Sequence, residues 1–391
     1  MISFFIGNAQ IPERQVSRFV YHEQIDRFSY GKIAIIDKGG DLINNISIPG
    51  GAKITILIDE GAHKDTITAS IYDYKAQPRD YGYDIQCDLV MYSESMKHYK
   101  IIKPSFGIKS AKSNKALEQL FSKAGINYTI NGNVDSSDSM NWIIANSNIQ
   151  MAMDHILSRS YISDNDSLLI SSDNKGIMTI GSFDNSLSNP ICTISHGYGL
   201  NGAPNGQDKD SLTIVGYEAR GGAGSRDAIY NSNMVKTISD YKNGNIKSAG
   251  DKLIESELSD NNNVMKQSLD EQILVYGTSY LDKINVHKNY WKSKYIRSGI
   301  LGQMSYSIDC TASYESVTKV GYSANVSLLS SASIGEKPKP SSLSGVYILI
   351  RKTTSYSFTT PLITCSYTMV RPGININKKD GAKALYGGEV K

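Results

Sequence analysis

Along the N-terminal quarter of the chain, apolar residues recur at every second position. Ile33 and Ile35, Ile54, Ile56 and Ile58, Ile67, Ala69 and Ile71, and Ile85, Cys87, Leu89 and Met91 form four such sets, with Gln86 and Asp88 among the residues between them. A strand turns successive side chains to opposite faces, so this period predicts half-buried strands. Between the sets, Gly39-Gly40-Asp41, Pro49-Gly50-Gly51 and Asp59-Glu60-Gly61 supply the positive-φ and fixed-φ residues that chain reversals require. A strand meander closing into a barrel or a sandwich is the expected result.

After Pro104 the period changes. Ala116, Leu117, Leu120, Phe121 and Ala124 recur at three and four, with Ser113 placed to cap a helix and Gly125 to stop it. A second helix starts at the cap Asn148 and carries Met151, Met153, Ile156 and Leu157. Trp142 and Ile143 just upstream read as a shorter turn of helix. The methionines read as core packing. A hairpin follows, from Leu168-Leu169-Ile170 through Ser172-Asp173-Asn174-Lys175-Gly176 to Ile177-Met178-Thr179-Ile180.

Strands resume at Leu212-Thr213-Ile214-Val215. A polar, Asn- and Ser-rich excursion over 231–267 precedes two alternating runs, Val346/Ile348/Ile350 and Ile363/Cys365/Tyr367/Met369. Gly335 to Pro340 reads as an exposed loop, and the residues from Asn375 as a loose tail. The predicted class is α+β, mainly β. The predicted domains are an N-terminal β-barrel at 1–106, an inserted α+β domain at 107–210, a second barrel-like domain at 211–373 and a tail at 374–391.

Composition narrows the function more than the fold. Tyr (25) outnumbers Phe (8) and Trp (2) together, so most aromatic area carries a hydroxyl that needs water or a partner, as at wet or inter-subunit surfaces. A net charge of +3 is too small to make nucleic acid or an anionic membrane the main partner. No apolar run is long enough to span a bilayer, and Met1-Ile2-Ser3-Phe4-Phe5-Ile6 lacks the basic flank and cleavage site of a signal peptide, so synthesis in the cytoplasm is expected. Cys87, Cys192, Cys310 and Cys365 lie far apart without ligand spacing and read as small buried hydrophobes.

The chemical motifs are weak. Gly221-Gly222-Ala223-Gly224 lacks the lysine and the βαβ frame of a phosphate loop. His196 beside Ser195 reads as loop, and Asp164, Asp166 and Asp173 as cap and turn residues. Glu13, Glu23 and Asp26 are carboxylates of the kind any β-rich chain offers. No catalytic, cofactor-binding or metal-binding set is predicted, and no cofactor. One mixture of cations and aromatics stands out: Lys288, Tyr290, Trp291, Lys292, Lys294, Tyr295 and Arg297, which reads as an interface or lumen patch.

The order of parts carries a resemblance. Arg18-Phe19-Val20, Tyr30-Gly31, the Ile54–Ile58, Thr66–Tyr74 and Tyr83–Tyr92 strands, Pro104-Ser105-Phe106-Gly107, the two helices and the Leu168–Ile180 hairpin follow one another over the first half of the chain. This arrangement resembles the central baseplate hub of contractile-tailed bacteriophages, related to late control D proteins and to the hub part of type VI secretion spikes. The resemblance is one of spacing, and no functional residue carries over with it.

It implies a homotrimeric ring with two tube-like antiparallel β-barrel domains per subunit, located in the virion baseplate. The implied partners are tail-tube protein, central spike protein and baseplate wedge proteins, with transient contact to DNA or tape-measure protein in the lumen. Members of that family have no catalysis of their own. The alternatives are a tail-tip cell-wall or polysaccharide hydrolase, which needs a carboxylate pair in one cleft, and a tail-fibre or adhesin module, which favours internal repeats that this chain lacks.

Overall fold

The computed structural model describes residues 2–46, 51–60, 63–92, 103–145, 147–163, 166–196, 211–221, 293, 306–313, 318–328, 341 and 343–371. Seven strands come first: β1 (Ile2–Ile6), β2 (Ala9–Ile11), β3 (Val16–Gln24), β4 (Tyr30–Lys38), β5 (Lys53–Glu60), β6 (His63–Arg79) and β7 (Gly82–Met91). The next elements are β8 (Phe106–Ala111), α1 (Ser113–Lys123), β9 (Tyr128–Ile130), β10 (Met140–Ile144), α2 (Ile149–Leu157), β11 (Leu168–Ser172), β12 (Met178–Ser182) and α3 (Phe183–Ser188). The last six strands are β13 (Pro190–His196), β14 (Ser211–Gly221), β15 (Tyr306–Ser313), β16 (Ser323–Ser327), β17 (Gly345–Ser357) and β18 (Thr360–Arg371).

The first seven and last six strands form one 13-stranded sheet, in the order β16-β13-β14-β15-β18-β17-β3-β4-β7-β6-β5-β1-β2. Because β16 also pairs with β17, the pairings of the last six strands run in a circuit. The first seven curl without closing: Phe4 of β1 packs against Phe19 of β3 with ring centroids 6.3 Å apart, yet no described pairing joins β2 to β3. The closed antiparallel barrel expected there is therefore an open sheet. Nor is the second half wholly antiparallel, since β13 runs parallel to both β14 and β16. Parallel neighbours need long connections rather than hairpins, and β13 enters the sheet from α3.

The alternating positions read from the sequence fill the core. Ile54, Ile56, Ile58, Ile67, Ile71, Ile85 and Cys87 are buried, as are Ile363, Cys365, Tyr367 and Met369, in a single cluster spanning both halves of the sheet. Tyrosine serves this core as well as the surface. Tyr21, Tyr347, Tyr356 and Tyr367 are among the largest fully buried side chains, while Tyr30, Tyr72, Tyr74 and Tyr81 are exposed. Tyr356 donates its hydroxyl to Glu13 and Tyr347 to the Leu343 carbonyl, which offsets the cost of burying them. All four cysteines are buried free thiols, and burial pushes those of Cys87 and Cys310 up to about 12.

The middle elements have their own core, built on Leu117, Leu120 and Phe121 of α1, Met153 and Ile156 of α2, and Trp142, and shared with Val90 and Met91 of β7 and Phe28 of the β3–β4 connection. Asn148 caps α2 as expected, accepting the Met151 N–H at 2.8 Å. Gly125 ends α1 at φ +63°. Two local expectations change. Trp142 and Ile143 lie in β10 rather than a helical turn, because the indole N–H reaches across to the Ala111 carbonyl of β8 at 2.8 Å and β-branched neighbours favour the strand.

Ser113 is the first helical residue rather than the cap, because the buried Asp138 takes that role. Its carboxylate accepts the Ser113 N–H at 2.8 Å, the Ser113 and Ser136 hydroxyls, and the Tyr161 N–H at 2.8 Å. A buried anion at the helix start is stabilised by these donors and by the helix dipole. Asp138→Ala strands the Ser113 and Tyr161 N–H groups and takes an acceptor from the Ser113 and Ser136 hydroxyls, and the expected cost is about 3 kcal/mol or more. Urea unfolding followed by tryptophan fluorescence measures it; a loss below about 1 kcal/mol contradicts this role.

Candidate assembly surface

The two halves of the sheet meet at one strand pair. β17 pairs with β3 in seven registered positions, from Arg351 opposite Gln24 to Ser357 opposite Arg18. Continuous ladders therefore cross the join. Thr311, Ser366, Thr353, His22 and Tyr30 stand opposite one another in successive strands, as do Thr364, Ser355, Val20, Lys32, Asp88 and Asp73. These residues share the face turned away from the core. They form a broad polar surface, with hydroxyls on the β15–β18–β17 side and Arg18, His22, Tyr30 and Lys32 on the β3–β4 side.

Several hydrogen bonds among the described residues tie this face to itself. His22 Nδ1 and Thr353 Oγ1 lie 3.0 Å apart, Ser355 and Thr364 share a hydroxyl contact of 2.9 Å, and Thr368 donates to Asp309 at 2.6 Å. The Lys32–Asp88 pair, at 3.5 Å, is largely exposed and stabilises little. A groove of about 290 Å³ runs between Arg18, Val20 and His22 of β3 and Tyr30, Lys32 and Ala34 of β4.

Beneath the same join lies a buried ion pair. Glu23 stands directly opposite Lys352, with Nζ 3.9 Å from a carboxylate oxygen that has no hydrogen-bond partner among the described residues. Lys352 also donates to the Thr318 carbonyl at 3.3 Å. Burial pushes the Glu23 carboxyl up to about 7; Lys352 opposes that shift, and Asp173 and Asp65 add to it. Removing one partner of such a pair costs more than the pair itself contributes, so the join is sensitive to either residue.

The middle elements fasten onto this region. The Asp26 N–H donates to the Ile170 carbonyl at 2.7 Å and its carboxylate accepts the Ile170 N–H at 3.2 Å, which holds Asp26 at φ +58°. Ser29 bonds Ser172 at 2.6 Å, and Asn174 reaches Asp65 at 2.7 Å. On the other half, Ser186 donates to the Gly321 carbonyl at 2.7 Å. The carboxylates considered as an acid pair thus have separate partners: Glu13 holds Tyr356, Glu23 faces Lys352, and Asp26 clasps β11.

Past Ile71, β6 extends as an exposed ribbon with β7, tipped by Tyr81, which is 88% exposed. Its free edge is blunted. Asp73 occupies the Tyr74 N–H at 2.9 Å and Pro78 has no N–H to offer, devices that discourage strand addition.

Of the other residues singled out from the sequence, Asp166 and Asp173 act as turn acceptors, for Ser167 and Asp184 and for Lys175 and Ile177 respectively. His196 lies in β13 rather than a loop, its ring edge-on to Tyr217 at 5.1 Å, because parallel pairing with β14 extends through it. Lys288, Tyr290, Trp291, Lys292, Lys294, Tyr295 and Arg297, the 231–267 excursion, the 335–340 loop, Asp164 and the tail from 375 lie outside the described residues. The sequence reading missed the Glu23–Lys352 join. A charged residue at an inward position of an alternating strand was the available signal.

The Glu23 proton gives a signed prediction. The folded chain holds it up to about pH 7, whereas an ordinary glutamate releases it near 4.5, so this group's contribution is fully present below 4.5 and lost as pH rises through 7. The urea midpoint of the wild type should fall relative to that of Glu23→Gln between about pH 5 and pH 8. Parallel midpoint curves contradict it.

No protein-family model and no curated protein sequence matches this chain. Solved structures do. A tail protein from Neisseria meningitidis MC58 aligns with a TM-score of 0.52 at 10% identity, over 95% of this chain and 96% of that one. The 43 kDa tail protein of prophage MuSo2 from Shewanella oneidensis gives 0.53 at 11%, over 95% and 96%. An Escherichia coli component of the type VI secretion system, described as structurally similar to bacteriophage tail proteins, gives 0.51 at 10%, over 95% and 77%. The chain has the fold of these tail and secretion-spike proteins, as the order of its elements implied.

Proposed function

We propose that this chain is a structural protein of a phage-type tail, acting as a homotrimeric baseplate hub that joins the hexameric tail tube to the trimeric central spike. The observation that carries the reading is the single sheet built of two strand-rich halves, seven strands and six, joined by β3 and β17. Three copies then offer six strand-rich modules to a sixfold tube while keeping threefold symmetry for the spike. Likeness in fold to tail proteins over nearly the whole chain supports the same assignment.

In this reading the polar face that crosses the join lines the passage through which DNA leaves. Its hydroxyl-rich side gives a wetted wall, and the core on the opposite side keeps the sheet rigid. Tail-tube protein lies above, spike protein below and wedge proteins around the ring. The Lys288–Arg297 segment, with Trp291, belongs to an interface or to the lumen, and the chain itself carries no catalysis.

Light scattering on the purified chain, alone and with tail-tube protein, tests the assignment. A trimer, or a monomer that becomes a ring with its partner, is expected. A monomer that ignores tube protein and releases sugars from cell wall overturns it.

A further inference from the structure

The tip of the β11–β12 hairpin seats on the first half of the sheet through a small set of bonds. Ser172 contacts Ser29 at 2.6 Å, the Asn174 carbonyl accepts the Thr68 N–H at 2.8 Å, and the Asn174 amide donates to Asp65 at 2.7 Å. The fit is close: a Cβ on Gly176 would meet the Tyr92 carbonyl oxygen at 2.0 Å. Asp173 at this tip and Asp65 in β6 bring two carboxylates toward the buried Glu23, which stands against the Lys352 ammonium at 3.9 Å. Tyr21 of its own strand and Cys365 of β18 also face this charge, and burial pushes both above their ordinary ranges, so they stay neutral near pH 7.

An ionised Glu23 in this setting has one oxygen without a hydrogen-bond donor among the described residues and two like charges acting on it. A buried charge so placed draws in water. Opening the join to admit it would break the β3–β17 ladder over seven registered positions, whereas lifting the hairpin tip breaks only the contacts at Ser172 and Asn174. A cavity of about 170 Å³, lined by Asp173, Thr179, Lys319 and Tyr322, already lies beside the tip. We infer that Glu23 is a proton-operated latch for the hairpin: protonated, it leaves the tip seated on Ser29, Asp65 and Thr68; ionised, it draws in water and lifts the tip while the β3–β17 join stays whole. The seated form holds the Glu23 proton up to about pH 7, and the lifted form, with water at the carboxyl, releases it near the ordinary 4.5. Lifting is therefore favoured by up to about tenfold per pH unit between those values and levels off above 7.

Hydrogen exchange of the full chain, resolved to single residues by mass spectrometry, tests the latch through the Ser29 and Thr68 amides, which donate to Ser172 and Asn174 of the tip. With the ordinary base-catalysed rise divided out, their protection should fall about tenfold or more from about pH 5 to pH 7, while that of the β17 and β18 amides holds. Glu23→Gln should abolish the fall, and Asp173→Asn, which keeps an acceptor at the turn, should shrink it. Protection that does not change with pH, an equal fall along β17 and β18, or a fall that Glu23→Gln retains overturns the latch. Where Glu23→Gln does not fold, Asp173→Asn decides, and a fall it leaves unchanged overturns the latch too. Exchange is read whatever the oligomeric state, so failure of the proposed hub and failure of the latch are told apart.

Discussion

Backbone hydrogen bonding along β17 is the constraint on which the rest of the molecule depends. Its thirteen residues pair with β16 at one end, with β18 along most of their length, and with β3 over the last seven positions. A buried peptide group left without a partner costs as much as a lost hydrogen bond, so this strand leaves little freedom in how the two halves sit. Its inward side chains, Lys352, Thr354 and Tyr356, belong to both halves at once. Lys352 faces Glu23 and Tyr356 holds Glu13, and both bonds cross from the last strands to the first.

The middle elements make sense against that join. They approach from the side through Asp26, Ser29 and Asp65 on one half and Gly321 on the other, so α1, α2 and the β11–β12 hairpin brace the seam instead of hanging from a linker. What remains outward is a polar face that no described element covers and a ribbon whose edge resists strand addition. A rigid wall with a wetted surface and a protected edge suits a part that meets neighbours in a fixed order. Nothing in the arrangement of Glu13, Glu23 and Asp26 draws them to one reacting centre.

Much of this fold was legible because strand period is a local property. The Ile54–Ile58 and Ile363–Met369 alternations, the Asn148 cap and the Leu168–Ile180 hairpin follow from residues a few positions apart. Asp138 was not legible, since its partners Ser113 and Tyr161 lie more than twenty residues away on either side. Trp142-Ile143-Ile144 is too short a window to separate strand from helix, and only its pairing with β8 decides it. The parallel placement of β13, the β3–β17 join and the polar face are products of long-range pairing, invisible to any window. Four tyrosines went inward because each could use the apolar ring in the core, an outcome that the count of 25 did not reveal.

The central claim is that one chain supplies two strand-rich modules to a threefold ring. Electron microscopy of the assembled particle, averaged without imposed symmetry, tests this most directly. The account predicts three subunits presenting six strand-rich lobes around an open passage, with the Arg18–Lys32 face turned inward. A particle with one lobe per subunit, or with that face buried against solid density, contradicts it.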